Sequence, residues 1–424
     1  MHHFSYVNDR LHAEDVPVAE IAAAVGTPFY CYSTATLERH YRVFSEAFAN
    51  IDALVCYAVK ANSNQAVLTT LARMGAGMDV VSGGELRRAR AAGVPGEKIL
   101  FSGVAKTEEE QALGLDEGIL CFNVESEAEL LQLSRVATEK GKTARVSLRI
   151  NPDVDARTHA KISTGKSENK FGIPWRRARE AYAAAGKLPG IEVTGIDMHI
   201  GSQIVELEPF DAAFSRLGTL IGELRADGHT IDHVDLGGGL GIPYQDNNEP
   251  PPNPEAYARI VRRHVEDLDC KVIFEPGRMI AGNAGILVTK VVYVKEGADK
   301  AFVIVDAAMN DLIRPTLYDA YHEVRPVVVK GADHPRIRAD VVGPVCETGD
   351  YLAHDRDLPA VEAGELLVVH SAGAYGAVLA SSYNSRLLVP EVLVNGDRYS
   401  VVRPRPSYDD LIGQDRLPDW LTED

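Results

Sequence analysis

The sequence predicts an α/β protein, a closed (β/α)8 TIM barrel joined to a second, all-β domain. Three observations predict it. Eight short apolar runs of strand character alternate with seven helix-period segments between residues 54 and 276. Polar residues or glycine lie at or directly beside the carboxyl ends of those runs. Beyond Arg278 the helical pattern thins and strand runs dominate.

The elements follow in order. An N-terminal segment closes with the strand-like Pro28-Phe29-Tyr30-Cys31-Tyr32. Strands are then expected at Leu54–Val59, Gly77–Ser82, Ile99–Gly103, Ile119–Val124, Arg145–Ile150, Val193–Ile200, His233–Gly237 and Lys271–Pro276. Helix-period segments between them are Gln65–Met74, Gly84–Ala92, Thr107–Leu115, Ser126–Lys140, Trp175–Ala185, Phe210–Asp227 and Pro254–Leu268. Ser126 with Glu129, and Thr107 with Glu110, carry the spacing of a capping box.

The same alternation suits an open doubly wound sheet. The strand ends decide for a barrel, because Lys60, Ser82, Asn123, Asn151, His199, Gly237-Gly238-Gly239 and Glu275 fall on what would be its catalytic face. Asn151–Gly172, long and polar, reads as a lid, and Asn247–Pro254 as a rigid surface loop. Strand runs at Ile286–Val294, Ala301–Asp306, Arg325–Lys330, Ala339–Val342, Glu365–His370, Glu391–Asn395 and Tyr399–Arg403 make up the second domain. The barrel is assigned residues 33–280, and a β-sandwich or barrel-like domain residues 1–32 and 281–424.

Composition narrows the function. The 424 residues carry 44 basic and 61 acidic side chains, a net charge of −17 that speaks against nucleic acid or an anionic membrane as partner. No apolar run approaches the ~18 residues of a membrane span, and the N-terminus lacks a basic region followed by an apolar one. The cysteines at 31, 56, 121, 270 and 346 are scattered and contain no CxxC pair, so neither a disulfide framework nor a zinc site is expected. A reducing cytoplasm is the expected location. The first four cysteines lie in or beside apolar runs and read as core, whereas Cys346 sits in the polar Gly343-Pro344-Val345-Cys346-Glu347-Thr348-Gly349-Asp350.

Four motifs carry chemistry. Tyr57-Ala58-Val59-Lys60-Ala61-Asn62 delivers a lysine to the last position of a buried strand, where partial desolvation makes a nucleophilic amine; a solvated strand-end lysine is the alternative. Gly237-Gly238-Gly239-Leu240-Gly241 after a strand is either a phosphate cradle or a tight turn. His199 in His199-Ile200-Gly201-Ser202-Gln203 is a base, a ring stacked on a cofactor, or a structural histidine; without an HxH or HExxH partner no metal is expected. Glu275-Pro276-Gly277-Arg278 ends the eighth strand with a carboxylate, with no evident second carboxylate at a strand end to form an acid/base pair. Arg278 and Arg314 are candidate clamps for a carboxylate or phosphate. A phosphorylated aldehyde cofactor, pyridoxal 5'-phosphate, uses an amine, a phosphate cradle, a flat ring and a carboxylate for its ring nitrogen together.

With Arg314-Pro315-Thr316-Leu317-Tyr318, Cys346-Glu347-Thr348-Gly349-Asp350 and Gly373-Ala374-Tyr375-Gly376 added in order, the chain from about residue 28 to residue 405 resembles the pyridoxal-phosphate-dependent diaminopimelate decarboxylases. These belong to the ornithine–diaminopimelate–arginine decarboxylase family with its alanine-racemase-like, type III fold. The resemblance implies that Lys60 carries the cofactor, His199 stacks on its ring and Glu275 keeps its pyridine nitrogen protonated. Ser202, Gly238, Gly239, Gly277, Arg278 and Tyr375 would hold the phosphate. Arg278, Arg314, Tyr318 and Tyr375 would bind the distal end of an amino-acid substrate, and Glu347 its distal ammonium. Cys346 would supply the proton that replaces CO2, a role suited to thiols, which titrate at about 8.5. The implied reaction is conversion of meso-2,6-diaminopimelate to L-lysine and CO2. The implied assembly is a homodimer in which Cys346 and Glu347 reach the neighbouring subunit's site. Relatives acting on carboxynorspermidine, ornithine or arginine, and a non-catalytic cofactor-binding homologue, are the alternatives. The glutamate directly after Cys346, where ornithine and arginine decarboxylases of the fold typically carry aspartate, and the two arginines favour a substrate with a distal carboxylate.

Overall fold

Alternating apolar and polar strand positions decide which side chains enter the barrel, since every second residue faces the same side. In a computed structural model describing residues 2–156, 158–162, 164–165, 169–245 and 253–422, the chain divides into two units, Thr36–Asn283 and Met1–Ala35 with Ala284–Asp424.

In the first unit the strands Ala53–Ala58, Gly77–Val80, Ile99–Phe101, Cys121–Val124, Ala144–Asn151, Ile191–Asp197, His233–Asp235 and Lys271–Phe274 pair in parallel, each with the next. The eighth returns to the first through Val272 opposite Ala53, so the sheet closes as predicted. Helices Gln65–Arg73, Gly83–Ala91, Glu108–Glu117, Glu127–Glu139, Ala178–Ala185, Glu208–Ala226 and Pro254–Val265 follow the strands. Thr107 and Glu110 form the capping box that their spacing predicts, and the Ser126 hydroxyl accepts the Glu129 N–H.

The helix Thr34–Glu46 is not among the expected elements. Its Phe44, with Phe48 just beyond its end, packs on Tyr257 and on Phe274 of the eighth strand, with 4.1 Å between the Phe48 and Phe274 ring centroids. Inside the barrel Cys56, Leu100, Cys121 and Ile273 form an apolar cluster. Two residues further along their strands, Cys121 gives way to Asn123 and Ile273 to Glu275. The period that buries the apolar layer therefore aims a polar layer at the carboxyl end.

In the second unit Phe29–Ser33 lies at the middle of a nine-stranded sheet. It pairs antiparallel with Gly285–Glu296 and parallel with Glu391–Asn395. Ala301–Val305, Arg336–Val342 and Tyr351–Pro359 extend one side and Arg398–Arg403 the other, while Val324–Pro326 and Leu366–Val369 branch from the path. Phe29, Cys31, Ile286, Val288, Val368, Val392 and Val394 make its core. Tyr351–Pro359 is absent from the expected strands, as are the small sheet Phe4–Val7, Arg10–Ala13, Val16–Pro17 and the helix Val18–Val25. Cys31, Cys56 and Cys121 are buried as expected; Cys270 is only half-buried, correcting its assignment to the core. Among the described residues no helix is long and apolar enough to cross a membrane.

Candidate active site

Lys60 does not end the first strand. It sits in a single 3-10 turn, Val59–Ala61, directly after it. Its side chain is 38% exposed and its Nζ lies 2.9 Å from Asp79 Oδ2. The desolvation expected of a strand-end lysine is thus replaced by an ion pair with a fully buried carboxylate of the second strand.

Glu275 is not a solitary carboxylate either. Barrel closure brings Asp197 and Asp235, the last residues of their strands, to within 4.8 Å of it, each measured at one carboxylate oxygen. Two bare carboxylates at that separation repel by about 3 kcal/mol at an effective dielectric of ~20, which favours keeping a proton among them. Burial, and then the charges of Asp235, Asp79 and Asp197, hold the Glu275 carboxyl well above its usual range. Asp235 is pushed up to about 6, chiefly by burial. Neutral donors support the group: Ser102 Oγ and Asn123 Nδ2 each lie 3.3 Å from Glu275 Oε1, and Asn123 Nδ2 also donates to Asp235 Oδ2 at 3.2 Å. On the other flank Arg149 pairs with Glu125 at 2.9 Å and stands 3.9 Å from Asp197.

The glycine turn after the seventh strand requires glycine. Gly237 and Gly239 have φ of 65° and 106°, and a Cβ on Gly237 would come within 2.7 Å of His199 Nδ1. Gly238 N–H donates to His199 Nδ1 at 3.1 Å, and Asp235 Oδ1 accepts the Gly237 N–H at 2.9 Å. The turn therefore orients the imidazole as well as being close to the strand ends. Burial, then the charges of Arg149 and Lys60, keep His199 neutral well below its usual pKa. Ser202 Oγ accepts from Arg278 Nη2 at 3.0 Å, and Arg278 Nη1 donates to the Tyr244 hydroxyl at 2.5 Å. Tyr244 was not among the sequence candidates; nothing in its surroundings, Gly241-Ile242-Pro243-Tyr244, distinguishes it. Gly277 packs on Ala61, where a Cβ would approach the Ala61 Cβ to 2.9 Å.

The segment expected to be a lid is tied to this strand end. Thr164 Oγ1 donates to the His199 carbonyl at 3.0 Å, Thr158 Oγ1 to the Ser202 carbonyl at 2.8 Å, and Ser202 N–H to the Ile162 carbonyl at 3.1 Å. Residues 157, 163 and 166–168 of that segment, and 247–252 of the expected surface loop, lie outside the described residues.

The second unit holds the other candidates. Arg314 opens the short helix Arg314–Tyr318, is 5% exposed, and lies 5.9 Å from the Tyr318 ring centroid. Cys346 and Glu347 are exposed on a loop that Asp350 pins by accepting the N–H groups of Val345 and Met309, both at 2.6 Å. The nearby Glu347 carboxylate raises the Tyr383 hydroxyl above its usual pKa. Tyr375 holds a left-handed backbone, φ 55°, rare for an aromatic residue and a mark of sites where the surrounding structure imposes conformation.

The pyridoxal-binding domain of the pyridoxal-dependent decarboxylases matches residues 34–282. The chain belongs to that family. A member from Zymomonas mobilis, a diaminopimelate decarboxylase, is 50% identical over 421 residues, covering 99% of each chain. The crystal structure of the M. jannaschii diaminopimelate decarboxylase in co-complex with L-lysine is similar with a TM-score of 0.93 and 37% identity, over 99% of this chain and 98% of that one. The Helicobacter pylori diaminopimelate decarboxylase complexed with L-lysine gives a TM-score of 0.89 and 40% identity, over 94% and 98%.

The residues of this pyridoxal-dependent decarboxylase suit the family's cofactor. Lys60 offers a primary amine to an aldehyde, Glu275 a carboxyl for a ring nitrogen, and the Arg278–Ser202 pair a cation and a hydroxyl for a phosphate. Among the described residues Asp79 Oδ1 and Asp197 Oδ1 are buried and find no hydrogen-bond partner, so the barrel mouth keeps acceptors in reserve. Pyridoxal phosphate is the cofactor of the family to which these residues belong.

Proposed function

We propose that the protein decarboxylates meso-2,6-diaminopimelate to L-lysine and CO2. The observation that carries this is the buried Glu275 carboxyl among Asp79, Asp197 and Asp235, together with 50% identity to a diaminopimelate decarboxylase across the whole chain. When bound, the pyridoxal group supplies a sink for the electron pair left as CO2 departs.

The side chains do the rest. Lys60 would hold the cofactor through its side-chain amine and be released as a free amine when the substrate's amine takes its place. Glu275 keeps a proton at the ring nitrogen, and a neutral His199 gives a flat, uncharged face for the ring. Ser202, Gly238, Gly239, Gly277, Arg278 and Tyr375 receive the phosphate. At the distal end of the substrate Arg278, Arg314, Tyr318 and Tyr375 bind the carboxylate and Glu347 the ammonium, a pairing that a substrate with only an amine does not need. Cys346 delivers a proton to the carbon that CO2 has left. We assign Cys346 and Glu347 to the neighbouring subunit's site in a homodimer, and the five free cysteines favour the cytoplasm.

The test is turnover by purified protein of diaminopimelate, ornithine, arginine and carboxynorspermidine in parallel, with cofactor absorbance recorded in the same samples. L-Lysine from diaminopimelate alone is expected. Lys60→Ala is expected to abolish both the turnover and the covalent cofactor band. Turnover of another substrate only, or an unaltered band in Lys60→Ala, would overturn the assignment.

A further inference from the structure

An arginine that selects a carboxylate must be held in one orientation, because its planar fork recognises an anion only along defined edges. Arg314 is buried at the start of a five-residue helix. A side chain eight residues on, outside that helix, fixes its direction. Arg314 Nε donates to His322 Nε2 at 3.2 Å. His322 is fully buried, and its Nδ1 lies 2.9 Å from the His370 carbonyl oxygen.

These two contacts determine the ring's chemistry. A carbonyl accepts only, so Nδ1 carries the proton; a guanidinium donates only, so Nε2 carries the lone pair. His322 must be neutral and in one tautomer for both bonds to exist. Its backbone is held as well, since the His322 carbonyl accepts from Arg356 Nη2 at 3.3 Å, and the Arg356 guanidinium lies 3.5 Å from the Tyr321 ring centroid. With Nε held by His322, the plane of the Arg314 guanidinium is fixed, and its centre lies 5.9 Å from the Tyr318 ring centroid.

We propose that His322 is a positioning residue for substrate specificity: by accepting from Nε it holds the Arg314 guanidinium in the one orientation that meets the distal carboxylate of the substrate. This rests on the role given to Arg314 above. His322 touches neither the reacting carbon nor the cofactor in this reading, so its removal weakens substrate binding and leaves the chemical step in place.

The experiment compares holoenzyme carrying His322→Phe or His322→Gln with the unaltered holoenzyme. It measures KM and kcat for diaminopimelate, and inhibition by L-lysine, which keeps the distal carboxylate, and by 1,5-diaminopentane, which has none. For His322→Phe, KM is expected to rise about 10-fold or more with kcat within about 3-fold, because binding alone is lost. Inhibition by L-lysine should weaken in parallel while inhibition by 1,5-diaminopentane holds. His322→Gln, whose amide oxygen accepts from Nε, should recover most of the KM. Equal weakening of both inhibitors, a fall in kcat at unchanged KM, or no difference between Phe and Gln would overturn the proposal. If His322→Phe does not fold, His322→Leu, equally unable to accept from Nε, takes its place: a raised KM and weakened L-lysine inhibition in Leu but not in Gln support the anchor, and equal behaviour of the two overturns it. Unaltered protein that turns over no diaminopimelate would sink the functional reading itself, whereas turnover with indifferent variants sinks only the role of His322.

Discussion

The three-residue strand His233–Asp235 carries two titrating groups of opposite sign on its inward side. His233 is driven down to about 4, first by burial and then by the charges of Arg145 and Lys271. It is neutral in the folded chain, while an unfolded histidine takes its proton near ~6.5, so its stability contribution is lost as pH falls through that window, by about 3 kcal/mol at the acid end. Asp235, raised to about 6 from 3.8, acts the other way. Its contribution is fully present below the unfolded value and is lost as pH rises through 6, again by about 3 kcal/mol. The two offset each other between pH 4 and 6. Replacing one exposes the other: urea unfolding of the cofactor-free protein should show His233→Gln gaining stability relative to the unaltered chain on acidification from pH 7 to 4.5, and Asp235→Asn losing it. Parallel pH curves for all three proteins would refute this linkage.

At the scale of elements, Gly195 in the strand Ile191–Asp197 leaves space that the His233 ring fills, and the register of this strand against Ala144–Asn151 shifts between Val193 and Gly195. Gly195→Ala should therefore cost about 3 kcal/mol or more through overlap with that ring, read as a lowered urea midpoint. His233→Ala in the same chain should return part of the loss, since the two sites are in contact. Strands and barrel helices were legible because their period of apolar residues is strong; Leu54 to Val59 has no other reading. Tyr351–Pro359 was not, because His354, Asp355, Arg356 and Asp357 interrupt its apolar positions and Asp355 has a left-handed φ of 52°. The hairpin between Phe4–Val7 and Arg10–Ala13 did carry a weak signal, Asn8-Asp9, two residue types that tolerate the positive φ both of them hold here. In the site, Lys60, His199 and Glu275 stood out as polar residues at strand ends. The company of Asp79, Asp197 and Asp235 did not, because their convergence depends on closing eight strands into a ring and no spacing along the chain encodes it.

For the whole molecule, the assignment of Cys346 and Glu347 to a neighbouring subunit has a direct test. Lys60→Ala and Cys346→Ala proteins, each inactive alone, should regain up to about a quarter of the unaltered activity after mixing and subunit exchange, since half the dimers are mixed and each of these holds one intact site. No recovery would argue that each chain completes its own site. The second unit also has a timing built into it. The strand Phe29–Ser33 is made early, yet its parallel neighbour Glu391–Asn395 emerges roughly 360 residues later, which at ~5–20 residues per second is roughly 20–70 s of synthesis. Through that interval an apolar strand waits with one or both edges open, the kind of surface that other chains and chaperones pair with. The barrel, continuous in the chain, can close meanwhile. A messenger that stops before codon 391 would thus yield a chain with a finished barrel and a strand edge left permanently open in the second unit.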